Sequence, residues 1–218
     1  TGSPVAAGSE SPSSSPSDGP TASPSDAPVI QVVTQPAPTT DAPTPSPSSS
    51  PSEAVGSVVA SPLLTELTTT YEGGNGQAGI MFDIEAVNSL VIEEIDINVK
   101  DTVTHNGFIY MKSGSWRGNS KKPASWTELG TFTVQGQGEG NPTTLPAGTF
   151  DPITVNAGET KALYITLTAP SIKYTFSRPE GTTGDDNLKI YKGLGKKYRF
   201  SKNFANRIFN GSIRYKLA

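Results

Sequence analysis

From residue 63 onward, apolar and polar positions alternate with a period of two, which is typical of β-strands that turn one face towards a core. Segment 94–100 shows the alternation most clearly, and segment 160–168 reads as a similar strand. We expect the apolar residues of these two segments to point inward, namely Ile95, Ile97, Val99, Leu163, Ile165 and Leu167. The same periodicity predicts further strands at 65–71, 80–87, 107–112, 127–134, 172–176, 188–191 and 208–215.

Glycine and asparagine clusters separate the predicted strands, and they supply the backbone conformations that tight turns require. These clusters occur at 73–76, 106–107, 136–141, 156–158, 181–184 and 210–211. No stretch shows the 3.6-residue periodicity of a convincing amphipathic helix. The pattern therefore predicts an all-β fold for residues 63–218, an antiparallel and jelly-roll-like β-sandwich.

The first 62 residues differ from the rest in composition, because they contain no lysine, no arginine and no aromatic residue. They consist largely of serine, proline and threonine, and so offer too little apolar area to offset the entropy of ordering a backbone. We interpret residues 1–62 as an extended, non-globular stalk that precedes one folded domain. Serine and threonine with proline are typical of O-glycosylated, mucin-like stalks, and the predicted attachment sites are Ser11, Ser15, Ser23, Thr39, Thr40, Thr44, Ser46 and Ser50.

Two short β-branched islands interrupt the stalk and suggest extended chain that could add to a sheet edge. One interpretation is an assembly arm that completes an exposed edge of the next copy, which would give a head-to-tail homopolymer. The other interpretation is that the islands are apolar positions in a linker and have no specific partner. The apolar residues concerned are Val29, Ile30, Val32, Val33, Val55, Val58 and Val59.

Charge is divided unevenly, because the stalk holds five acids and no base, which leaves seventeen bases against fifteen acids in the predicted domain. No acid follows Asp186, whereas nine lysines and arginines do. This basic tail is either a solvated face or a contact surface for an anionic polysaccharide or the acidic stalk of a neighbouring copy. Lys196, Lys197 and Arg199 are its candidate contact residues. No RNP, zinc-finger or helix-turn-helix pattern is present, so we do not expect a nucleic-acid partner.

The sequence lacks the residues that most catalytic mechanisms require. The chain has no cysteine, and its one histidine, His105, precedes Asn106-Gly107 in a predicted hairpin turn, where we expect it to be exposed. One histidine excludes a two-histidine metal site within one chain, and its predicted place in a turn speaks against a histidine-based triad. We predict no enzyme activity, no cofactor and no metal site.

Three other motifs carry weak signals. Residues 74–79 match G-x-G-x-x-G, but a strand is predicted after them where a dinucleotide-binding loop would need a helix. Turn acids such as Glu159 and those at 185–186 could bind Ca²⁺, yet no spacing enforces a site. Two carboxylate pairs share predicted strand faces, where acids are expected on the solvated side in any case, namely Asp83 with Glu85 and Glu94 with Asp96.

Two tryptophans flank the polar loop 117–123. Trp126 opens a predicted strand and should be buried, whereas Trp116 lies in the loop and is the better platform for a sugar ring or another chain. Core packing remains the alternative for both. Asn210-Gly211-Ser212 is the one glycosylation sequon that proline does not block, so Asn210 is a candidate N-glycan site.

Five blocks of the sequence carry a family resemblance, at 70–87, 114–116, 123–130, 140–142 and 209–213. Taken together they resemble an extracellular β-sandwich domain that recurs in secreted bacterial proteins and in algal surface proteins. The resemblance covers essentially the whole predicted domain and none of the stalk. It implies no catalytic or ligand-binding residue. The stalk is similar to those of stramenopile algal cell-wall and appendage proteins.

These observations favour a secreted, extracellular protein. The first hypothesis is a structural subunit of a glycosylated filament or cell-surface layer that assembles through its stalk. The alternative is a carbohydrate-binding or adhesion module displayed on a mucin-like stalk. No run of about twenty apolar residues is present, so no membrane span is predicted.

Overall fold

A computed structural model describes residues 63–178 and 181–218, and within these ranges it contains fourteen strands and one short 3-10 helix at Pro123–Ser125. The stalk, with its predicted glycan sites and apolar islands, lies outside the described residues. The strands are β1 Thr65–Thr68, β2 Asn75–Gln77, β3 Gly79–Ala86, β4 Leu90–Asn98, β5 Thr104–Ser113, β6 Thr127–Gln135, β7 Pro142–Thr144, β8 Ile153–Val155, β9 Thr160–Leu167, β10 Ile172–Phe176, β11 Thr182–Gly184, β12 Leu188–Lys196, β13 Asn203–Phe209 and β14 Gly211–Leu217.

The strands form two sheets, and every pairing between them is antiparallel. The five-stranded sheet has the order β1-β14-β4, and β7 and β8 both pair with the far edge of β4. The nine-stranded sheet has the order β2-β10-β13-β12-β3-β9-β5-β6, and β11 adds to β12. The glycine motif at 74–79 contains β2 and the first residue of β3, so a strand and not a helix follows it, as predicted.

One apolar core contains residues of both sheets. Phe82 of β3 and Phe209 of β13 stack in it, with ring centroids 4.3 Å apart. The prediction of an all-β fold with two antiparallel sheets is confirmed, and the arrangement is compatible with a β-sandwich, whereas the jelly-roll connectivity stays a prediction. The six residues predicted to point inward all belong to this core and are at most 1% exposed, namely Ile95, Ile97, Val99, Leu163, Ile165 and Leu167.

The predicted strand at 208–215 is in fact two strands, because the chain passes from one sheet to the other at Asn210. β13 ends at Phe209 in the nine-stranded sheet, and β14 begins at Gly211 in the five-stranded sheet. A Cβ atom at Gly211 would lie 2.0 Å from the carbonyl oxygen of Asp96, so only glycine fits at this crossing.

Asn210 is 1% exposed, which makes the predicted N-glycan site wrong for the folded domain. Its side-chain amide donates to Thr175 Oγ1 at 3.1 Å, and its Oδ1 accepts from the backbone N–H of Gly73 at 2.9 Å. The amide nitrogen that would carry the glycan is therefore used inside the protein, and no oligosaccharide fits there.

His105 also differs from the prediction, because it is buried in strand β5 and not exposed in a turn. Its Nε2 lies 2.6 Å from Asp101 Oδ1, and Ser171 Oγ donates to the other oxygen of Asp101 at 3.0 Å. Burial acts to raise the pKa of Asp101, but the hydrogen bonds from His105 and Ser171 outweigh it and lower the pKa. The hydrogen bonds of Asp101 therefore have a structural role, because they connect its loop to strand β5 and to the loop that contains Ser171.

An ion-pair network crosses the three adjacent strands β1, β14 and β4 of the five-stranded sheet. Arg214 of β14 donates to Glu66 of β1 at 2.7 Å and to Asp96 of β4 at 2.6 Å. It also reaches Glu94 at 2.9 Å. Asp96 is completely buried, so this carboxylate depends on the guanidinium for its charge partner.

Candidate binding surface

The outer face of the nine-stranded sheet carries a second apolar cluster, which we call the outer cluster. It lies on the side of the sheet away from the shared core, as the alternation in β9 shows: Leu163 packs in the core, whereas Tyr164 packs in the outer cluster. Three half-buried aromatic residues complete it, namely Phe108, Trp116 and Phe200. Its buried members are Met81, Tyr110, Trp126, Ala162, Tyr164 and Leu194.

Two loops cover the outer cluster: the β5–β6 loop at 114–126 and the β12–β13 loop at 197–202. Phe200 places the second loop, because its ring lies 5.1 Å from the ring centroids of both Tyr110 and Tyr164 in edge-on contacts. Phe200 has a φ of 55°, a left-handed conformation that costs a non-glycine residue free energy. The aromatic packing offsets that strain and fixes the loop on the sheet.

The β5–β6 loop is held to the sheet by Asp83 of β3. The Asp83 carboxylate accepts from Ser115 Oγ at 2.5 Å and from the backbone N–H of Trp116 at 2.9 Å. Burial raises the pKa of Asp83, and its effect outweighs that of these two hydrogen bonds, which act to lower the pKa. Further along, Trp126 Nε1 donates to the carbonyl of Asn119 at 3.0 Å. The loop is thus fixed at both ends.

Lys196 ties the two loops together. Its Nζ donates to the carbonyl of Ser120 at 2.9 Å, to the carbonyl of Ser201 at 2.7 Å and to Asn203 Oδ1. Asn203 in turn donates to Ser120 Oγ at 2.9 Å. Burial, with repulsion from Lys121, lowers the pKa of Lys196 to about 8. Lys196 has no exposed surface, so its prediction as a ligand contact is wrong, and it positions the loops instead.

An open cleft of about 530 Å³ remains where the loops meet the sheet edge, and we call it the aromatic cleft. Tyr198 is 53% exposed in it, and Glu128 is the one carboxylate that lines it. The guanidinium of Arg199 stacks 4.3 Å over the ring of Phe108, so its direction is fixed. The residues that line the cleft are Tyr110, Pro123, Trp126, Glu128, Tyr198, Arg199 and Phe200.

The structure separates the two tryptophans differently from the prediction. Trp126 is 8% exposed, which confirms its predicted burial, yet it lines the cleft. Trp116 was expected to be exposed, but it is half-buried against the outer cluster and does not line the cleft. The guanidinium of Arg117 covers its ring at 4.9 Å. Trp116 is therefore a support for the loop rather than its contact residue.

Exposed cations lie on the two loops that border this cleft, and we call them the basic rim. Within the described residues, none of them lies within 4.0 Å of a carboxylate. The predicted contacts Lys197 and Arg199 belong to the rim, whereas the other members of the rim were not singled out from the sequence. The rim consists of Arg117, Lys121, Lys122, Lys197, Arg199 and Lys202.

A second groove, of about 600 Å³, lies on the five-stranded sheet beneath loop 144–152. It is larger than the aromatic cleft, but two of the three carboxylates that line it are paired within the protein. Glu93 pairs with Lys216 at 2.7 Å, and Glu94 pairs with Arg214 at 2.9 Å. We therefore regard the aromatic cleft, which keeps unpaired charges at its rim, as the better candidate site.

The carboxylates considered for catalysis do not form a site. Asp83 and Glu85 share the outer face of β3, but Glu85 accepts from Lys189 at 3.1 Å and from Tyr191 at 2.7 Å. Hydrogen bonds from the protein thus occupy both acids. Among residues 63–178 and 181–218, no group of three or more histidines and acids could hold a metal ion. No helix in these ranges is long and apolar enough to cross a membrane.

Comparison with known proteins gives no further assignment. No family model matches the chain, and no curated protein matches its sequence. The resemblance to a recurring extracellular β-sandwich domain therefore stays a prediction.

Proposed function

We propose that this chain is a secreted, non-catalytic surface protein whose folded domain binds a glycan in the aromatic cleft. The cleft itself is the observation that carries this proposal: exposed and half-buried rings lie beside a guanidinium and a carboxylate. Sugar rings present apolar C–H faces and hydroxyl edges, so aromatic faces and charged hydrogen-bonding groups suit them together. The jelly-roll connectivity, secretion and O-glycosylation of the stalk are parts of the same proposal.

The way the loops are fixed supports a preformed site. Phe200, Lys196 and Asp83 hold the two loops on a rigid sheet through ring contacts and buried hydrogen bonds. Binding residues on loops that a scaffold positions lose little conformational entropy when a ligand binds. The cleft is also on the opposite sheet from β1, the strand that follows the stalk.

Tyr198 gives the cleanest test. Changing Tyr198 to alanine removes an exposed ring from the cleft, and we expect about a tenfold loss of glycan affinity, or about 1.4 kcal/mol. Phe176→Ala is the matched control, because Phe176 is a comparably exposed aromatic residue, 43% against 53%, that does not line the cleft. A glycan array identifies the ligand, and titration calorimetry gives the affinities. Equal affinities of the two variants would contradict this assignment.

A second candidate function is a structural subunit that assembles through its stalk. One observation favours it: β1 is an edge strand, and it directly follows the stalk in sequence. Edge strands offer unpaired backbone groups to another chain. Contact of this head-to-tail kind would produce open filaments or rings.

Truncation tests the second candidate. We expect residues 63–218 alone to remain folded and monomeric, because the described core lies within them. The full chain should then form higher oligomers that the truncated form does not. Light scattering and negative-stain electron microscopy of both forms would show this. Polymers formed equally by the truncated form would exclude the stalk as the linker.

A further inference from the structure

We propose that the ligand of the aromatic cleft is an acidic polysaccharide whose carboxylate or sulfate groups bind the basic rim. This inference rests on the glycan-binding function proposed above and names its ligand class. The rim combines residues of two loops that are far apart in sequence, at 117–122 and at 197–202. Together with the cleft it offers rings for sugar faces and cations for the acidic substituents.

Several cations outside the rim differ from its members, because each of them pairs with an acid. Lys161 pairs with Glu159, and Lys173 pairs with Glu139, each at 3.0 Å. Lys189 pairs with Glu85 at 3.1 Å. Cations outside the rim are thus often neutralised by a nearby acid, whereas the six rim cations have no such partner among the described carboxylates.

The protein also prevents the rim cations from moving apart. Lys196 and Asn203 both bond to Ser120, which keeps the two loops side by side. Arg199 is held over Phe108. Repulsion between Lys121 and the buried Lys196 shows that positive charge is concentrated at this junction. A polyanion would relieve that repulsion, and binding energy would therefore come from charges already in position.

A neutral glycan would use only part of the surface. It could stack on Tyr198 and Phe200 and accept hydrogen bonds from Arg199. Lysines such as Lys121 and Lys197 would find no anionic group to pair with. Lysine is a point charge that suits sulfate and carboxylate groups at varied positions along a flexible chain. The rim therefore fits a repeating acidic polymer better than a single neutral sugar.

The test compares chemically matched probes on the full chain by titration calorimetry. The probes are polygalacturonate against its methyl ester, and dextran sulfate against dextran. We expect at least tenfold tighter binding to the acidic member of one or both pairs, with affinity that falls as salt rises. The two pairs distinguish carboxylate from sulfate recognition.

Two triple variants locate the charge effect. Lys121→Gln/Lys122→Gln/Lys197→Gln removes three rim charges, and we expect at least a tenfold loss of affinity with a weaker salt dependence. The control removes three charges outside the rim and should bind within about twofold of the unchanged chain. Circular dichroism checks that both variants fold. The control is Lys100→Gln/Lys173→Gln/Lys189→Gln.

The outcomes separate this inference from the proposed function. If acidic and neutral probes bind alike, and Tyr198→Ala weakens both, the cleft binds glycans but the inference is wrong. If no probe binds and a glycan array shows no ligand, the proposed function fails with it. A peptide of residues 1–62, or single-stranded nucleic acid, that bound the rim more tightly than either acidic polysaccharide would replace the polysaccharide as partner.

Discussion

Replacing Arg214 with alanine is expected to lower the free energy of unfolding by about 3–5 kcal/mol, because Asp96 would then be a completely buried carboxylate without its cation. The edge strand β1 would also lose the ion pair between Glu66 and Arg214. Denaturant unfolding followed by tryptophan fluorescence measures the change.

Lys216→Ala is the control for this prediction, since Lys216 lies on the same strand and pairs with Glu93 at the surface. We expect it to cost at most about 1 kcal/mol. Adding Asp96→Asn to the Arg214 variant should recover part of the loss, because the neutral amide has a smaller desolvation cost. Equal destabilisation by the Arg214 and Lys216 variants would show that the buried pair contributes little.

Changing Lys196 to methionine is expected to weaken glycan binding at least tenfold and to lower the free energy of unfolding by about 2–3 kcal/mol. Methionine has a similar length but donates nothing, so the carbonyls of Ser120 and Ser201 and the amide oxygen of Asn203 lose a buried donor. The two loops would then separate, and the aromatic cleft between them would lose its shape. Calorimetry and denaturant unfolding give the two quantities.

Lys197→Met is the matched control for the stability measurement alone, because Lys197 is the next residue, is exposed and belongs to the basic rim. It should change the free energy of unfolding by less than about 0.5 kcal/mol. A Lys196 variant as stable as the Lys197 variant, with unchanged affinity, would contradict the role of Lys196 as the tie between the loops.

The pH dependence gives a separate check on Lys196. Its pKa is about 8 in the folded protein and 10.5 when it is unperturbed, so the unfolded chain holds more protons between these values. The contribution of Lys196 to stability therefore rises as pH increases from about 8 to about 10.5. The difference in unfolding free energy between the unchanged chain and the methionine variant should widen over this window.

The sequence pattern predicts the core well, because strict alternation decides which face of a strand is buried. Ile95, Ile97 and Val99 alternate with polar residues, and they lie in the shared core as expected. The outer cluster was missed because alternation assigns the second face of a strand to solvent. An uninterrupted apolar run at 162–165 was the available signal, since strands buried on both faces read in this way.

The roles of Lys196 and Asn210 could not be read from local sequence. Lys196 bonds to Ser120, which is 76 positions away, and Asn210 bonds to Gly73, which is 137 positions away. A lysine in a basic run normally extends into water, and a sequon normally lies in a surface turn. Only the pairing of distant segments turns both side chains inward, and no periodicity within a segment contains that information.

The sheet order β1-β14-β4 has a consequence for how the domain is made. Strand β1 is the first of the described strands and β14 is the last, and their partners Thr68 and Ser212 are 144 positions apart. During synthesis, β1 and β4 have no strand between them until β14, Gly211–Leu217, has been made. Closing so long a loop is slow, and the five-stranded sheet is therefore expected to complete its pairing late in folding.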